Sequence, residues 1–178
     1  LLGMLASQGM TKSDVNAQAV GPVNVWKLFL SGQSEALASV PDWTAQIMLA
    51  KKNIELIPSD QLFKSMAQAI IASDDTIKKN PELIQRIVRA TLKGMKDIMA
   101  DPAAAAADFV KATPELAGKE DYVALSFKLY NQYVYGGQKV LGEMDEARLS
   151  ALQDFYAKEG LIRSKSPVQD LYTNQFVK

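Results

Sequence analysis

The sequence predicts an α/β lobe followed by a helical region, and three observations support this fold class. Three short strand-like segments alternate with helix-like segments over the first 58 residues. The period of the apolar residues then changes from strand-like to helical at about residue 73. Two Asx-Pro pairs, Asn80-Pro81 and Asp101-Pro102, mark helix starts beyond that point.

The first 58 residues are predicted to alternate between helices and strands. A helix over residues 1–8 would end at Gly9, since glycine accepts a left-handed backbone without steric cost. Strands are predicted for VNAQAV, EALASV and IELIP, which are residues 15–20, 35–40 and 54–58. Helices are predicted over 23–31, with Trp26 on the inner face, and over 44–53. Because these connections are short, the three strands would be close neighbours in one mostly parallel sheet.

The remainder is predicted to be helical after one last strand. Residues 64–73, KSMAQAIIAS, would form a hinge strand that leaves the first lobe. We therefore expect an α/β lobe over residues 1–72 and a helical region over 73–178. Two further helices are predicted over 119–135 and 146–159, the second capped by Asp145. The tyrosines of the first are interpreted as core and rim residues, rather than as a surface that stacks on nucleic-acid bases; they are Tyr122, Tyr130, Tyr133 and Tyr135.

Composition excludes several classes of function. Lysine and arginine together number 20, as do aspartate and glutamate, so no basic surface for nucleic acid is expected. The absence of histidine and cysteine removes thiolate nucleophiles, disulfides, most zinc sites and the usual acid/base group at neutral pH. We predict no catalytic residue, no metal and no cofactor. No apolar run approaches the length of a membrane span.

The predicted sheet brings two loops to one edge. Ligands of parallel α/β sheets bind beyond the carboxyl ends of the strands. Gly21-Pro22 follows the first predicted strand, and Pro41-Asp42-Trp43 follows the second. Asp42 could accept hydrogen bonds from a ligand or cap the helix that follows. Trp43 could offer a flat apolar face to a ligand or pack against that helix.

The same stretch, LFLSGQSEALASVPDW, resembles a known family. It is similar to a segment of the ABC-transporter solute-binding proteins of the nitrate, sulfonate and thiamine-precursor type. Three other segments resemble that family in the same order along the chain: LLGMLASQGMTKSDV, NPELIQRIVRATLKGM and LQDFYAKEGLIRSKSPVQDLYTNQFV. The resemblance covers nearly the whole chain and rests on this collinear order rather than on one motif.

The resemblance implies a type II periplasmic-binding fold, of which this chain is expected to be a fragment without the first lobe. It implies a receptor that clamps a small organic molecule or anion, such as a sulfonate, nitrate or a pyrimidine, and delivers it to permease subunits. Such a protein is periplasmic, or extracellular and lipid-anchored. The ligand-binding residues that it implies are Gly21, Pro22, Asn24, Pro41, Asp42 and Trp43. The fragment is expected to associate with itself through uncovered apolar helix faces.

Two alternatives stay open. The helical content of the last hundred residues also fits a protein-interaction module. A pyrimidine-synthesising enzyme on the same fold is the other alternative, but that branch of the family uses histidine and cysteine, and this chain has neither.

Overall fold

Helices are the regular elements of the structure, a computed structural model that describes residues 1–66 and 68–177. In chain order they are α1 (Leu2–Ser7), α2 (Val25–Leu30), α3 (Pro41–Leu49), α4 (Ser59–Leu62), α5 (Asp74–Lys79), α6 (Pro81–Ala100), α7 (Pro102–Ala112), α8 (Glu120–Tyr130) and α9 (Glu146–Lys158). Short 3₁₀ turns cover Lys12–Asp14, Pro114–Leu116 and Val168–Asp170. A π-helical turn over Asn131–Tyr135 directly continues α8.

The predicted α/β fold class is wrong, because no residue that the structure describes lies in a strand. The segments 15–20, 35–40 and 54–58 are irregular connections with mostly exposed side chains. A strand obtains its hydrogen bonds from a neighbouring strand, so an alternating pattern alone does not create a sheet. Alanine and glutamate, which make up much of EALASV, also have low strand propensity.

The hinge strand predicted for residues 64–73 includes Ala67, which lies outside the described residues. The described residues on either side of Ala67 carry no strand, and Asp74 begins α5. The α/β lobe that the resemblance implied is therefore absent from the described chain. The boundary predicted between residues 72 and 73 stays a prediction.

The predicted starts of α6, α7 and α9 are confirmed, and a proline or a carboxylate marks each of them, whereas α3 begins at Pro41 rather than at the predicted residue 44. Helices α6 and α7 begin at Pro81 and Pro102, where the fixed φ of proline suits the first helical position. The Asp101 carboxylate accepts hydrogen bonds from the backbone N–H groups of Ala103 and Ala104, both at 3.0 Å. Asp145 caps α9 in the same way through Arg148 N at 3.0 Å. Local sequence determines these starts because each cap lies within three residues of its donor.

The described residues form two compact units, and the first comprises Leu1–Pro58 and Lys96–Gly136. In this unit α8 packs against both α7 and α3. Its small core contains Ala106, Val110 and Val123, and the Phe109 and Phe127 rings meet edge to face with centroids 5.7 Å apart. Helix α3 buries three side chains, Thr44, Ala45 and Ile47.

The second unit comprises Ser59–Met95 and Gly137–Lys178. Its aromatic contact joins Phe63 and Phe155, with ring centroids 4.7 Å apart. Arg148 donates hydrogen bonds to the Asp60 carboxylate at 3.0 Å and to Ser65 O at 3.3 Å, which holds the segment before α5 against α9.

The last described residues of the second unit are held by side-chain amides. Asn174 accepts from Met144 N at 2.8 Å and donates to Met144 O at 3.1 Å. The Gln85 amide donates to Phe176 O at 3.0 Å, and the Phe176 ring is buried.

Replacing the cap of α7 tests whether this helix contributes to the stability of the first unit. Asp101→Ala removes two hydrogen bonds to helix-start N–H groups, so we expect the free energy of unfolding to fall by about 1 kcal/mol. Asp108→Ala, on the exposed side of the same helix, is the matched control. Urea unfolding followed by circular dichroism measures both. An equal effect of the two substitutions would contradict the capping role.

Candidate functional site

The six residues that the resemblance implied all lie in the first unit. Gly21, Pro22 and Asn24 form an exposed turn before α2, and Pro41, Asp42 and Trp43 form the first turn of α3. Helices α2 and α3 pack together. No hydrogen bond joins the two sets among the residues that the structure describes.

Backbone hydrogen bonds close the turn before α2. Gly21 has a φ of +76°, in the left-handed region that favours glycine. Its carbonyl accepts from Asn24 N at 3.3 Å and from Val25 N at 3.2 Å. The Asn24 side chain donates to Val20 O at 3.3 Å. The interactions of this turn are thus internal to it, and its side chains face solvent.

Asp42 does not cap α3, so that alternative for its role is wrong. The N-cap residue is Val40, whose backbone is extended, and α3 has no side-chain cap hydrogen bond. The Asp42 carboxylate instead accepts a hydrogen bond from the Tyr130 hydroxyl, with 3.1 Å between Oη and Oδ2. This bond joins the start of α3 to the end of α8 and is partly buried.

Burial and Asp42 both raise the pKa of the neighbouring tyrosines. Burial raises the pKa of Tyr130 well above its ordinary value of about 10, and the Asp42 charge and hydrogen bond raise it further. The pKa of Tyr135 is raised first by burial and then by Asp42. Both side chains are neutral phenols at physiological pH, as tyrosines with an ordinary pKa also are, and Tyr130 donates to Asp42.

The π turn after α8 accounts for the position of the Tyr135 ring. The Tyr130 and Tyr135 rings stack with centroids 5.5 Å apart and an interplanar angle of 21°. In an α-helix of 3.6 residues per turn, two residues five apart point about 140° away from each other. A π turn, whose hydrogen bonds run from i to i+5, brings such residues onto one face. Turns of this kind are frequent at functional sites.

Two buried polar atoms near this end of α8 have no hydrogen-bond partner in the described chain. They are Ser126 Oγ and Asn131 Oδ1. Ser126 is 2% exposed and lies one helical turn before Tyr130, on the same face. The Asn131 amide nitrogen donates to Ile98 O at 2.8 Å, which leaves only its oxygen unpaired. An unpaired buried polar atom costs about 1–3 kcal/mol, so packing alone does not explain this polarity.

Both tryptophans are half-buried. Trp43 follows Asp42 in the first turn of α3, beside the buried Thr44. Trp26, which was predicted to face inward, is also half-buried, and Lys27 Nζ lies 5.7 Å from its ring centroid. We refer to Asp42, Trp43, Tyr130 and Tyr135 as the Asp42 cluster.

The Asp42 cluster has the chemistry of a non-covalent binding site. Its carboxylate and phenols accept and donate hydrogen bonds, and its aromatic rings offer flat apolar surface. Among the described residues, no group of three or more acidic side chains is placed to hold a metal ion. No helix in the described part of the chain is long and apolar enough to cross a membrane.

Sequence analysis missed Tyr130 and Tyr135, which it interpreted as core and rim residues. A helical period explains Tyr122, Leu125 and Leu129, but a spacing of five between two tyrosines does not fit it. That irregular spacing, followed by Gly136-Gly137, is the signal in the sequence that indicates a departure from the α-helix.

Comparison with known proteins identifies the family. The family model described as NMT1/THI5 like matches residues 1–105, which is more than half of the chain. The chain therefore belongs to the NMT1/THI5-like family, and the resemblance found in the sequence is confirmed. No solved structure matches the chain significantly.

Two curated relatives differ in what their names describe. Riboflavin-binding protein RibY of Chloroflexus aurantiacus is 26% identical over 182 residues, which cover 99% of this chain and 52% of that protein. The 4-amino-5-hydroxymethyl-2-methylpyrimidine phosphate synthase of Aspergillus parasiticus is 27% identical over 119 residues, 60% of this chain and 34% of the synthase. The chain thus spans about half the length of the first relative and about a third of the second.

Replacing Tyr130 by phenylalanine tests the bond that joins α3 to α8. Tyr130→Phe keeps the ring and removes the hydroxyl donor, so we expect the free energy of unfolding to fall by about 1–2 kcal/mol. Tyr133→Phe, in the same π turn but 39% exposed, is the control and should change stability little. Urea unfolding of both variants provides the measurement. If Tyr130→Phe is as stable as the control, the hydrogen bond does not contribute to the folded state.

Proposed function

We propose that this chain is part of the substrate-binding component of an ABC transporter, which captures a small organic molecule for uptake. Family membership and the match of 99% of the chain to a riboflavin-binding protein support a solute-binding role. The structural observation that carries the proposal is the half-buried Asp42 carboxylate, which caps no helix and accepts a hydrogen bond from Tyr130, whose ring stacks on that of Tyr135. Sites for small molecules commonly combine apolar and aromatic surface with a few polar groups.

The proposed ligand-binding residues are Asp42 and Trp43, with Pro41 before them and with Gly21, Pro22 and Asn24 in the turn before α2. The proline fixes the start of α3 and so orients the two side chains that follow it. The glycine turn precedes α2, which packs against α3. Tyr130 and Tyr135 are added to this set because one contacts Asp42 and the other stacks on the first.

The partners and location follow from the same proposal. A binding component of this kind delivers its solute to permease subunits, and it functions outside the cytoplasmic membrane, in the periplasm or anchored to the cell surface. We also propose that the isolated chain associates with itself through exposed apolar side chains of α6, such as Leu83 and Ile87, each 43% exposed. Sedimentation that shows only monomer would contradict this association.

An enzymatic function is the second candidate, because one relative is named as a synthase. The Asp42 cluster favours binding over catalysis, since the partner of its carboxylate is a neutral phenol rather than a second carboxylate or a base. The chain has no histidine and no cysteine, the groups expected for the enzymatic branch. We therefore propose a receptor without turnover.

A binding experiment on Trp43 tests the proposed function. Riboflavin, cytosine, nitrate and methanesulfonate are titrated against the chain by isothermal titration calorimetry. If Trp43 provides an apolar surface to the solute, Trp43→Ala should weaken binding by roughly 1–3 kcal/mol and leave the circular dichroism spectrum unchanged. Trp26→Ala is the matched control, since its aromatic ring is also half-buried but lies on α2.

Two results would contradict the proposal. Binding of none of the four compounds is one of them. The other is an equal loss of affinity in the two tryptophan variants, because that would indicate a general effect on the fold rather than contact with the solute.

A further inference from the structure

We propose that the Asp42 cluster selects a neutral or cationic solute that donates hydrogen bonds, and that it rejects anions such as nitrate and sulfonates. This inference rests on the proposed function, because it names the chemical class of the solute at the same site. It narrows the range of solutes that the resemblance implied, which included both anions and pyrimidine-like molecules.

The first step concerns the acceptors that remain on Asp42. An ionised carboxylate has about four lone-pair positions and no donor. The Tyr130 hydroxyl uses one of them, on Oδ2 at 3.1 Å. No backbone N–H of α3 and no lysine or arginine is bonded to this carboxylate in the described part of the chain. Asp42 therefore retains acceptor positions for a solute.

The second step concerns the direction of the Tyr130 hydroxyl. A phenol has one O–H donor, and here that proton points to Asp42. The phenol is protonated at neutral pH, and burial raises its pKa further. The hydroxyl oxygen can still accept a hydrogen bond from a solute. Asp42 and Tyr130 thus present acceptors side by side, and a solute that meets both must supply donors.

The third step concerns the charge that an anion would meet. The start of a helix attracts anions through its free N–H groups. In α3, however, Asp42 already places a negative charge in the first turn and offsets that attraction. The lysines of this segment, Lys51 and Lys52, come after the end of the helix, which is about 13 Å long from Pro41 to Leu49. An anion at the first turn of α3 would therefore meet the like charge of Asp42.

The test compares donor and anion probes on the whole chain and on an isosteric variant. Riboflavin and cytosine are neutral and carry N–H donors, whereas nitrate and methanesulfonate are anions without them. Asp42→Asn keeps an oxygen for the Tyr130 hydroxyl but removes the charge and adds an N–H₂ donor. Asp108→Asn, on the exposed face of α7, is the matched control. Calorimetry measures the dissociation constant of each probe for each protein.

The expected result is a loss of affinity that is confined to the donor probes. The wild-type chain binds riboflavin or cytosine and neither anion. Asp42→Asn raises the dissociation constant of the donor probe by about tenfold or more, as expected for the loss of a hydrogen bond to a charged group. The same variant binds the anions no worse than the wild-type chain. Tyr130→Phe weakens binding of the donor probe several-fold, and Tyr133→Phe leaves its affinity unchanged.

The outcomes that overturn the inference are distinct from those that overturn the proposed function. If an anion binds the wild-type chain more tightly than both donor probes, the solute class is wrong while the receptor function stands. If Asp42→Asn lowers the affinity for donor probes and for anions alike, the role of Asp42 is structural and the inference fails. If none of the four probes binds, the inference and the proposed function both fail.

Discussion

The hydrogen bond from Tyr130 to Asp42 is the interaction on which the candidate site depends. It joins the first turn of α3 to the last residue of α8, two helices that also pack through their apolar faces. The hydrogen bond, 3.1 Å long, adds a directional contact to this packing, because donor and acceptor must lie close together and aligned. The bond also determines which hydrogen-bonding groups remain at the candidate site, because it uses the only proton of the phenol and one lone pair of the carboxylate.

The π turn over Asn131–Tyr135 lies directly beside this hydrogen bond. It places the Tyr135 ring on the Tyr130 ring, whose hydroxyl donates to the carboxylate. Asn131 fixes the start of the turn by its bond to Ile98 O, while its own oxygen and Ser126 Oγ stay buried without partners. Irregular backbone, stacked rings and unpaired polar atoms thus coincide within ten residues. Departures from ideal helix geometry and packing are expected at sites where function, rather than stability, determines the sequence.

Local signals in the sequence predicted the helices well and the sheet wrongly. Pro81, Pro102 and the caps Asp101 and Asp145 act within three residues, so their effects are independent of the rest of the molecule. The segments VNAQAV, EALASV and IELIP have an apolar pattern that is compatible with strands, but a strand also needs a partner at a distance along the chain. Among the described residues none supplies it. The candidate residues from the resemblance lie at two helix starts of one unit. Tyr130 was missed because its partner Asp42 lies 88 residues away along the chain, and Tyr135 because its position depends on a π turn.

The sequence by itself determined the helix starts at Pro81, Pro102 and Glu146, the absence of histidine and cysteine chemistry, and the family, whose segments follow one another in order along the chain. These properties depend on composition and on residues a few positions apart. The tertiary structure alone decided that Asp42 is an acceptor bonded to Tyr130 rather than a helix cap, and that the extended segments form no sheet in the described chain. The physical reason is the same in both cases. A side-chain hydrogen bond and a strand ladder each require a partner that the fold brings near, and local sequence does not specify that partner.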